Sequence, residues 1–251
     1  MAAVAVSFPA AASAAKENPE FWATWGDGKA ELDGYTLTQS RYGEPRDGKA
    51  VMIFVTEDHS VKEQVKIEGD PSKVPAKEKY SVMKLNVVRH FQTGIYSYHV
   101  LGSVFCRVDD HFQPSKISVS VQEWCGHVYH QLVIDRRRVV ETLHSYFGGE
   151  GDQTRVHRFR DPILFADTIP LLVRELQGPW LAPGQTQEFS GGPTLLSLRL
   201  SHKPFEWKTI KITKSAKRIL MGSVLGKIAV TRWTIETADQ GTLTYWVEVD
   251  W

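Results

Sequence analysis

The chain has 251 residues, and 30 Lys and Arg against 29 Asp and Glu give a formal net charge of +1 at pH 7. This balance gives no electrostatic argument for nucleic acid or an anionic membrane as a partner. Hydrophobic residues make up 42% of the chain and charged residues 24%, which is typical of globular proteins. No apolar run approaches the ~20 residues that a membrane-spanning helix needs.

The N-terminal residues 1–15, MAAVAVSFPAAASAA, are small and apolar and contain the Ala-x-Ala pattern at 12–14. Such a stretch is typical of an export signal that signal peptidase removes. The Lys or Arg that usually precedes the apolar run is absent, so an Ala-rich tail is the alternative interpretation. We expect residues 1–15 to be a signal-peptide remnant and the protein to be periplasmic or secreted, in the bacterial cell envelope.

The first half of the remaining chain predicts strands between turn signals. Runs rich in aromatic and β-branched residues lie at 35–39, 50–56, 80–88 and 94–100. The charged segment 62–79 contains two prolines and predicts an exposed loop. Because strand side chains alternate, Tyr96, Tyr98 and Val100 should share one face of their strand.

The segment 116–135, KISVSVQEWCGHVYHQLVID, has the strongest β pattern in this half of the chain. Ile117, Val119 and Val121 alternate with polar residues, which is typical of an antiparallel sheet with one face in solvent. Gly126 allows two interpretations. It supplies a positive φ at a tight hairpin turn, or it marks a bulge in one long bent strand.

The same segment holds Glu123, Cys125 and His127, which would project to one side of a continuous strand about 6.5–7 Å apart. Two hypotheses follow, a Cys nucleophile with a His base and a metal site of Cys, His and carboxylate. The spacing exceeds the hydrogen-bond reach of a nucleophile and its base. His127 and His130 would also point to opposite faces. We therefore prefer a structural interpretation, with Trp124 in the core and with no metal or cofactor.

The two cysteines, Cys106 and Cys125, leave a further question open. Export would place them in an oxidising compartment, where a disulfide is permitted. Two separate buried thiols are the alternative, because free Cys is a common core residue.

The second half predicts more strands around one helical region. Strands are predicted at 139–147, 154–159, 195–200, 205–213, 228–236 and 242–250. Residues 161–177 predict a short helix with Asp161 as its N-cap and an interruption at Pro170. The Gly- and Pro-rich segment 178–193 predicts a linker. Residues 20–250 are therefore expected to form a single β-rich domain, or two lobes divided near 178–193.

Three segments carry a resemblance to a known family. They are FWATWGDGKAELDGYTLTQSRYGEPRDGKAVMIFVTED at 21–58, LNVVRHFQTGIYSYHVLGSVF at 85–105 and VQEWCGH at 121–127. The chain resembles an uncharacterised family of exported bacterial β-rich proteins over most of residues 20–250. Some members carry the automatic label "septum formation inhibitor Maf". Maf proteins are α/β nucleotide pyrophosphatases with a Ser-Pro-Arg-Arg type motif, which this chain lacks. The resemblance implies an open or half-closed barrel and, as fold analogy, no function.

These patterns predict an all-β, mainly antiparallel fold: a large curved sheet, half-barrel or barrel, with one short Pro-interrupted helix region near 161–177. The sequence has no Gly-x-Ser-x-Gly elbow, Walker loop, dinucleotide fingerprint or His-Glu-x-x-His motif. We therefore expect a non-catalytic envelope protein that binds an apolar or amphipathic, lipid-like molecule on the curved sheet. The candidate lining residues are Tyr96, Tyr98, Trp124, Tyr129, Trp233 and Tyr245.

Two other functions stay open. One is a protein–protein adaptor of the envelope, which would use an exposed sheet edge or the 62–79 loop. The other is a Cys/His-dependent hydrolase or metal-binding protein around Cys125 and His127.

Overall fold

The computed structural model describes residues 19–135, 137–159, 163–223, 226–237 and 241–248. Within these ranges the fold is mainly antiparallel β, as predicted, and its strands form two sheets. The predicted signal-peptide residues 1–15 lie outside the described residues.

The first sheet is an antiparallel meander of eight strands in which each strand pairs with its neighbours in sequence. Its strands are β1 (Glu31–Arg41), β2 (Glu44–Ser60), β3 (Lys79–Thr93), β4 (Tyr96–Arg107), β5 (Pro114–Glu123), β6 (Gly126–Asp135), β7 (Arg138–Ser145) and β8 (Gln153–Arg158). The predicted large curved sheet is confirmed, and over the described residues it does not close into a barrel. The connection 62–79 is mostly exposed, as predicted.

The alternation in the sequence determines which face of this sheet is buried. Ile117, Val119 and Val121 are buried on β5, and Tyr98 and Val100 are buried on β4. We call this buried surface the inner face. Full burial of one such apolar side chain stabilises the fold by about 1.5–3 kcal/mol.

The second sheet has six strands in the order β12-β13-β11-β10-β9, with β14 paired to β13. They are β9 (Ile163–Phe165), β10 (Thr186–Gly192), β11 (Lys208–Lys214), β12 (Ile219–Ser223), β13 (Gly226–Thr237) and β14 (Gly241–Glu248). β9 and β10 are parallel, and the other pairs are antiparallel. The pairing of β13 with β14 confirms the predicted last hairpin, although its turn residues 238–240 are outside the described ranges.

Three short α-helices are present among the described residues: α1 (Pro19–Trp25), α2 (Ile169–Leu172) and α3 (Leu195–Ser201). The prediction of a strand at 195–200 was wrong. Leu195, Leu198 and Arg199 are buried at helical spacing. Oγ1 of Thr194 accepts a hydrogen bond from the backbone N of Ser197 at 3.3 Å, so an N-cap begins a helix where apolar content alone suggested a strand.

The helical prediction for 161–177 was only partly correct. Its proposed N-cap, Asp161, lies outside the described residues. The rest forms β9, a 3₁₀ helix (Ala166–Thr168) and α2. Pro170 lies in the first turn of α2 and does not interrupt the helix, because the missing N–H of proline is not needed there.

The predicted linker at 178–193 instead contains β10, which lies between β9 and β11 in the second sheet. Its glycines serve close packing. A Cβ on Gly191 would lie 2.2 Å from the side chain of Ile210, and one on Gly192 would lie 2.8 Å from the ring of Phe205. Glycine is therefore needed at these two positions because neighbouring side chains approach the backbone closely, and it does not mark a linker.

The helical segments lie between the two sheets. Phe165, Leu171, Leu195 and Leu198 belong to the apolar core that includes the inner face of the first sheet. Ala166, Ile169 and Val173 belong to a second core with Phe189, Ile210 and Trp233 of the second sheet. Leu172 packs against both cores. We call these segments, residues 166–173 and 194–201, the helical layer.

Alanine substitutions at Gly48 on β2 and at Gly34 on β1 would show how tightly the first sheet is packed at the two positions. A Cβ on Gly48 would lie 2.2 Å from the backbone oxygen of His90, whereas one on Gly34 meets nothing within 4 Å. We expect Gly48→Ala to lower the free energy of unfolding by about 1–3 kcal/mol. The matched Gly34→Ala variant should change it by less than about 0.5 kcal/mol. Urea denaturation measures both values, and equal effects would contradict the register of β2 and β3.

Candidate functional site

The segment 116–135 forms a hairpin, in which Trp124 and Cys125 make the turn between β5 and β6. The hairpin interpretation is thereby confirmed, but Gly126 does not have the expected positive φ. Its Cβ would lie 2.5 Å from the ring of Tyr146. The glycine is required by this close approach and not by turn geometry.

The nucleophile and metal hypotheses required Glu123, Cys125 and His127 to lie on one continuous strand. In the hairpin they lie on β5, in the turn and on β6. Glu123 pairs with Gly126, and His127 pairs with Gln122. The backbone N of Cys125 donates a hydrogen bond to Oε2 of Glu123 at 2.8 Å. Hydrogen bonding to the Glu123 carboxylate raises the pKa of the Cys125 thiol, which opposes formation of a nucleophilic thiolate. Over the described residues, no group of three or more His, Cys, Asp or Glu is placed to hold a metal ion.

The cysteines are both free, with Cys106 buried in the core and Cys125 exposed at the turn. The two cysteines do not form the disulfide that export would permit. The alternative of two buried thiols is correct for Cys106 and wrong for Cys125. Burial also raises the pKa of the Cys106 thiol.

These environments predict different reactivities for the two thiols. At pH 8, we expect a disulfide reagent to label one thiol per molecule rapidly and the second only in denaturant. Glu123→Gln should increase the labelling rate of Cys125 at pH 7, since it removes the carboxylate that raises the pKa of this thiol. Stopped-flow absorbance measures the rates, with Cys125→Ala identifying the fast phase. An unchanged rate in Glu123→Gln would contradict the assigned contact.

The six predicted lining residues form no single site, although Tyr96 lies beside both Trp124 and Tyr98, with the Tyr96 and Tyr98 ring centroids 5.9 Å apart. Trp124 is 73% exposed and Tyr129 is 40% exposed, so the placement of Trp124 in the core was wrong. A turn position at the end of the sheet explains this exposure, and the Trp124 ring stacks on Tyr96 with centroids 6.1 Å apart. Tyr98 is buried and stacks on Phe91.

The remaining two lining candidates belong to the second sheet. Trp233 is buried under Trp180, with ring centroids 5.6 Å apart. Tyr245 of β14 is half-buried and is the one member of the six that lines the cavity described next.

A cavity of 160 Å³ lies between the inner face of the first sheet and the helical layer. Its floor consists of Gln39, Met52, Val87, Arg89, Val100, Gly102, Val104 and Val119 from β1 to β5. Its roof consists of Ala166, Asp167, Pro170, Thr194, Leu196, Ser197 and Leu200, with Tyr245 at one side. Concave, mostly apolar sites with a few converging polar groups are where proteins usually bind small molecules.

Gly102 explains why the floor has space. It pairs with Val87 on one side and Val119 on the other, so two β-branched side chains flank it. A Cβ on Gly102 would find no atom closer than 3.9 Å. The missing side chain in a row of valines therefore leaves part of the cavity empty.

An open groove of 770 Å³ borders the cavity and shares Met52, Pro170 and Tyr245 with it. Leu32 and Tyr35 of β1 line this groove and are 66% and 49% exposed. Exposed apolar side chains beside a cavity are typical of a ligand entrance.

Three ionisable groups line the cavity. Burial raises the pKa of Asp167 to about 7, against the effects of the backbone N–H of Leu195 and of Arg89. Burial lowers the pKa of Arg89, and it raises the pKa of Tyr245. Groups whose charged forms are destabilised in this way are concentrated at functional sites.

A buried ionic network holds the roof over the floor. Nη1 of Arg199 on α3 lies 2.9 Å from Oε2 of Glu150, which also accepts from Ser145 on β7. On the same side of the sheet, Glu141 contacts His130 at 2.9 Å and His157 at 2.7 Å. Removing one partner would leave a buried charge, so Arg199 and Glu150 fix α3 against the β7–β8 connection, and Glu141 holds β6, β7 and β8 together.

Sequence reasoning missed Arg89, Gly102 and Asp167. The first two carried a usable signal, because each occupies an inner-facing position of a strand whose neighbours on that face are apolar. Asp167 carried none, since its burial depends on packing between distant segments.

Comparisons of the chain with protein-family models, with curated proteins and with solved structures found no match. The resemblance noted above therefore stays a prediction. In the part of the chain that the structure describes, no helix is long and apolar enough to cross a membrane.

The pKa of Asp167 predicts a pH dependence of stability. Because burial raises this pKa from 3.8 to about 7, the folded state binds more protons than the unfolded state between these values. The contribution to stability is complete below pH about 4 and is lost as the pH rises through about 7. We expect Asp167→Asn, which stays neutral, to gain about 1–3 kcal/mol relative to wild type between pH 5 and pH 8.

Urea denaturation at several pH values measures this difference, and Asn retains an acceptor for the N–H of Leu195. The exposed Asp47→Asn variant is the control and should follow wild type at every pH. Parallel curves for Asp167→Asn and wild type would contradict the assignment.

Proposed function

We propose that this protein is a non-catalytic binding protein that holds a small apolar or amphipathic molecule between its first sheet and its helical layer. The observation that carries the proposal is the cavity of 160 Å³ with its valine-rich floor. A dry apolar cavity of about 150 Å³ is large enough to hold benzene. The cavity would therefore take a ring or a short alkyl segment, with the rest of the molecule in the adjoining groove.

The sites of reactive side chains support a non-catalytic role. Cys125 and His127 lie at or beside the exposed hairpin turn and do not line the cavity. The composition of residues 1–15 supports a location in the cell envelope.

A protein–protein adaptor is the second candidate, and a specific observation favours it. In this meander the turns β1–β2, β3–β4, β5–β6 and β7–β8 lie at one end of the sheet. Each carries an exposed apolar side chain, namely Tyr42, Ile95, Trp124 and Tyr146, which are 60%, 81%, 73% and 69% exposed. Grouped apolar tips of this kind are typical of an interaction surface.

Filling the cavity at Gly102 tests the first proposal. We expect Gly102→Leu to weaken binding of a fluorescent fatty-acid analogue by about 10-fold or more, because the new side chain would occupy the floor. Gly102→Ala, the matched control, should bind with an affinity close to that of wild type. Fluorescence titration gives the affinities, and a thermal melt confirms that each variant folds.

Two outcomes would contradict the proposal. Wild type that binds no probe at micromolar concentrations leaves the adaptor as the better candidate. Equal binding by wild type and Gly102→Leu would place the ligand elsewhere, and loss of binding in Trp124→Ala would then indicate the turns.

A further inference from the structure

Arg89 has an unusual position for a charged residue. It lies on β3 opposite Val100, and its side chain lines the cavity floor beside Val87. Among the described residues, its guanidinium forms no ion pair, and it makes one hydrogen bond, from Nη1 to Oε1 of Gln39 at 3.1 Å. Most of the five N–H groups of this cation thus have no acceptor among the described residues.

Other arginines of the interior are satisfied by protein acceptors: the buried Arg41 donates to the hydroxyl of Tyr98 at 3.1 Å and to the backbone oxygen of Leu200, and two more bind carboxylates. Arg174 binds Glu31 through Nη2, with an N–O distance of 2.6 Å. Arg199 binds Glu150 at 2.9 Å. Arg89 is half-buried and has no such carboxylate within ion-pair distance among the described residues, so part of its charge is taken out of water without an ion pair. Tyr245 and Asp167 interact electrostatically with Arg89, but Asp167 does not form an ion pair with it.

We propose that the ligand is a carboxylic acid with an apolar body, and that Arg89 binds its carboxylate inside the cavity. The inference rests on the proposed function and names the class of ligand for the same site. A guanidinium matches a carboxylate with two parallel N–H···O bonds. One cation balances one negative charge, which favours a carboxylate over a phosphate dianion.

The other polar groups of the cavity fit this ligand. Thr194 and Tyr245 contribute hydroxyl groups to the same lining, and hydroxyls donate to carboxylate oxygens, whereas the hydroxyl of Ser197 already donates to the backbone oxygen of Thr194 at 2.9 Å. Asp167, whose pKa burial raises to about 7, is partly protonated at neutral pH and in that form donates a hydrogen bond. The valines of the floor would contact the apolar body.

The test compares decanoic acid with 1-decanol, which differ in the head group and share the alkyl chain. Isothermal titration calorimetry at pH 6, where Asp167 is mostly protonated, gives both affinities for wild type, Arg89→Met and the control Arg138→Met, an arginine whose side chain is 58% exposed. We expect wild type and Arg138→Met to bind decanoate about 10-fold or more tightly than decanol, as charge-assisted hydrogen bonds predict. Arg89→Met should lose this preference and bind decanol as wild type does.

Several results would overturn the inference. If wild type binds decanoic acid and 1-decanol with equal affinity, the proposal that the ligand is a carboxylic acid is rejected. The proposal that the cavity binds an apolar molecule is unaffected. A preference that persists in Arg89→Met would assign the carboxylate to another residue. Binding of neither molecule by wild type would reject the proposed function itself. If Arg89→Met does not fold, Arg89→Gln replaces it, and the comparison in wild type still decides between acid and alcohol.

Discussion

The structure depends on covering the inner face of the eight-stranded sheet. Alternation along the strands places one apolar row after another on this face, and a sheet cannot leave such a surface in water. The helical layer covers it and is covered in turn by the second sheet. Leu172 contacts both cores, so the two sheets share one continuous apolar interior.

The cover is held by ionic contacts as well as by apolar packing. Arg199 reaches Glu150 from a helix of seven residues, which would be marginal in isolation. The contact fixes the helix over the floor without requiring close packing everywhere beneath it. A gap can therefore persist between Leu196 above and Gly102 below.

Much of the sheet architecture could be predicted from the sequence, and the site could not. The strands around Ile117 and Tyr98 follow from alternation alone, which is a local property of the chain. Leu195 to Ser201 was misread because apolar content was visible and the N-cap of Thr194 was not weighed. Trp124 was misplaced because alternation predicts a face of a strand but not where a strand ends.

The cavity combines two features that each reduce stability. The side chains that line the 160 Å³ cavity lack the packing contacts that a filled core would give them. Arg89 adds the partial desolvation of a cation that forms no ion pair among the described residues. Typical domains are stable by only about 5–15 kcal/mol. Packing defects and unpaired charges arise separately by chance, but here they occupy one space, and a ligand with an apolar body and a carboxylate would relieve both.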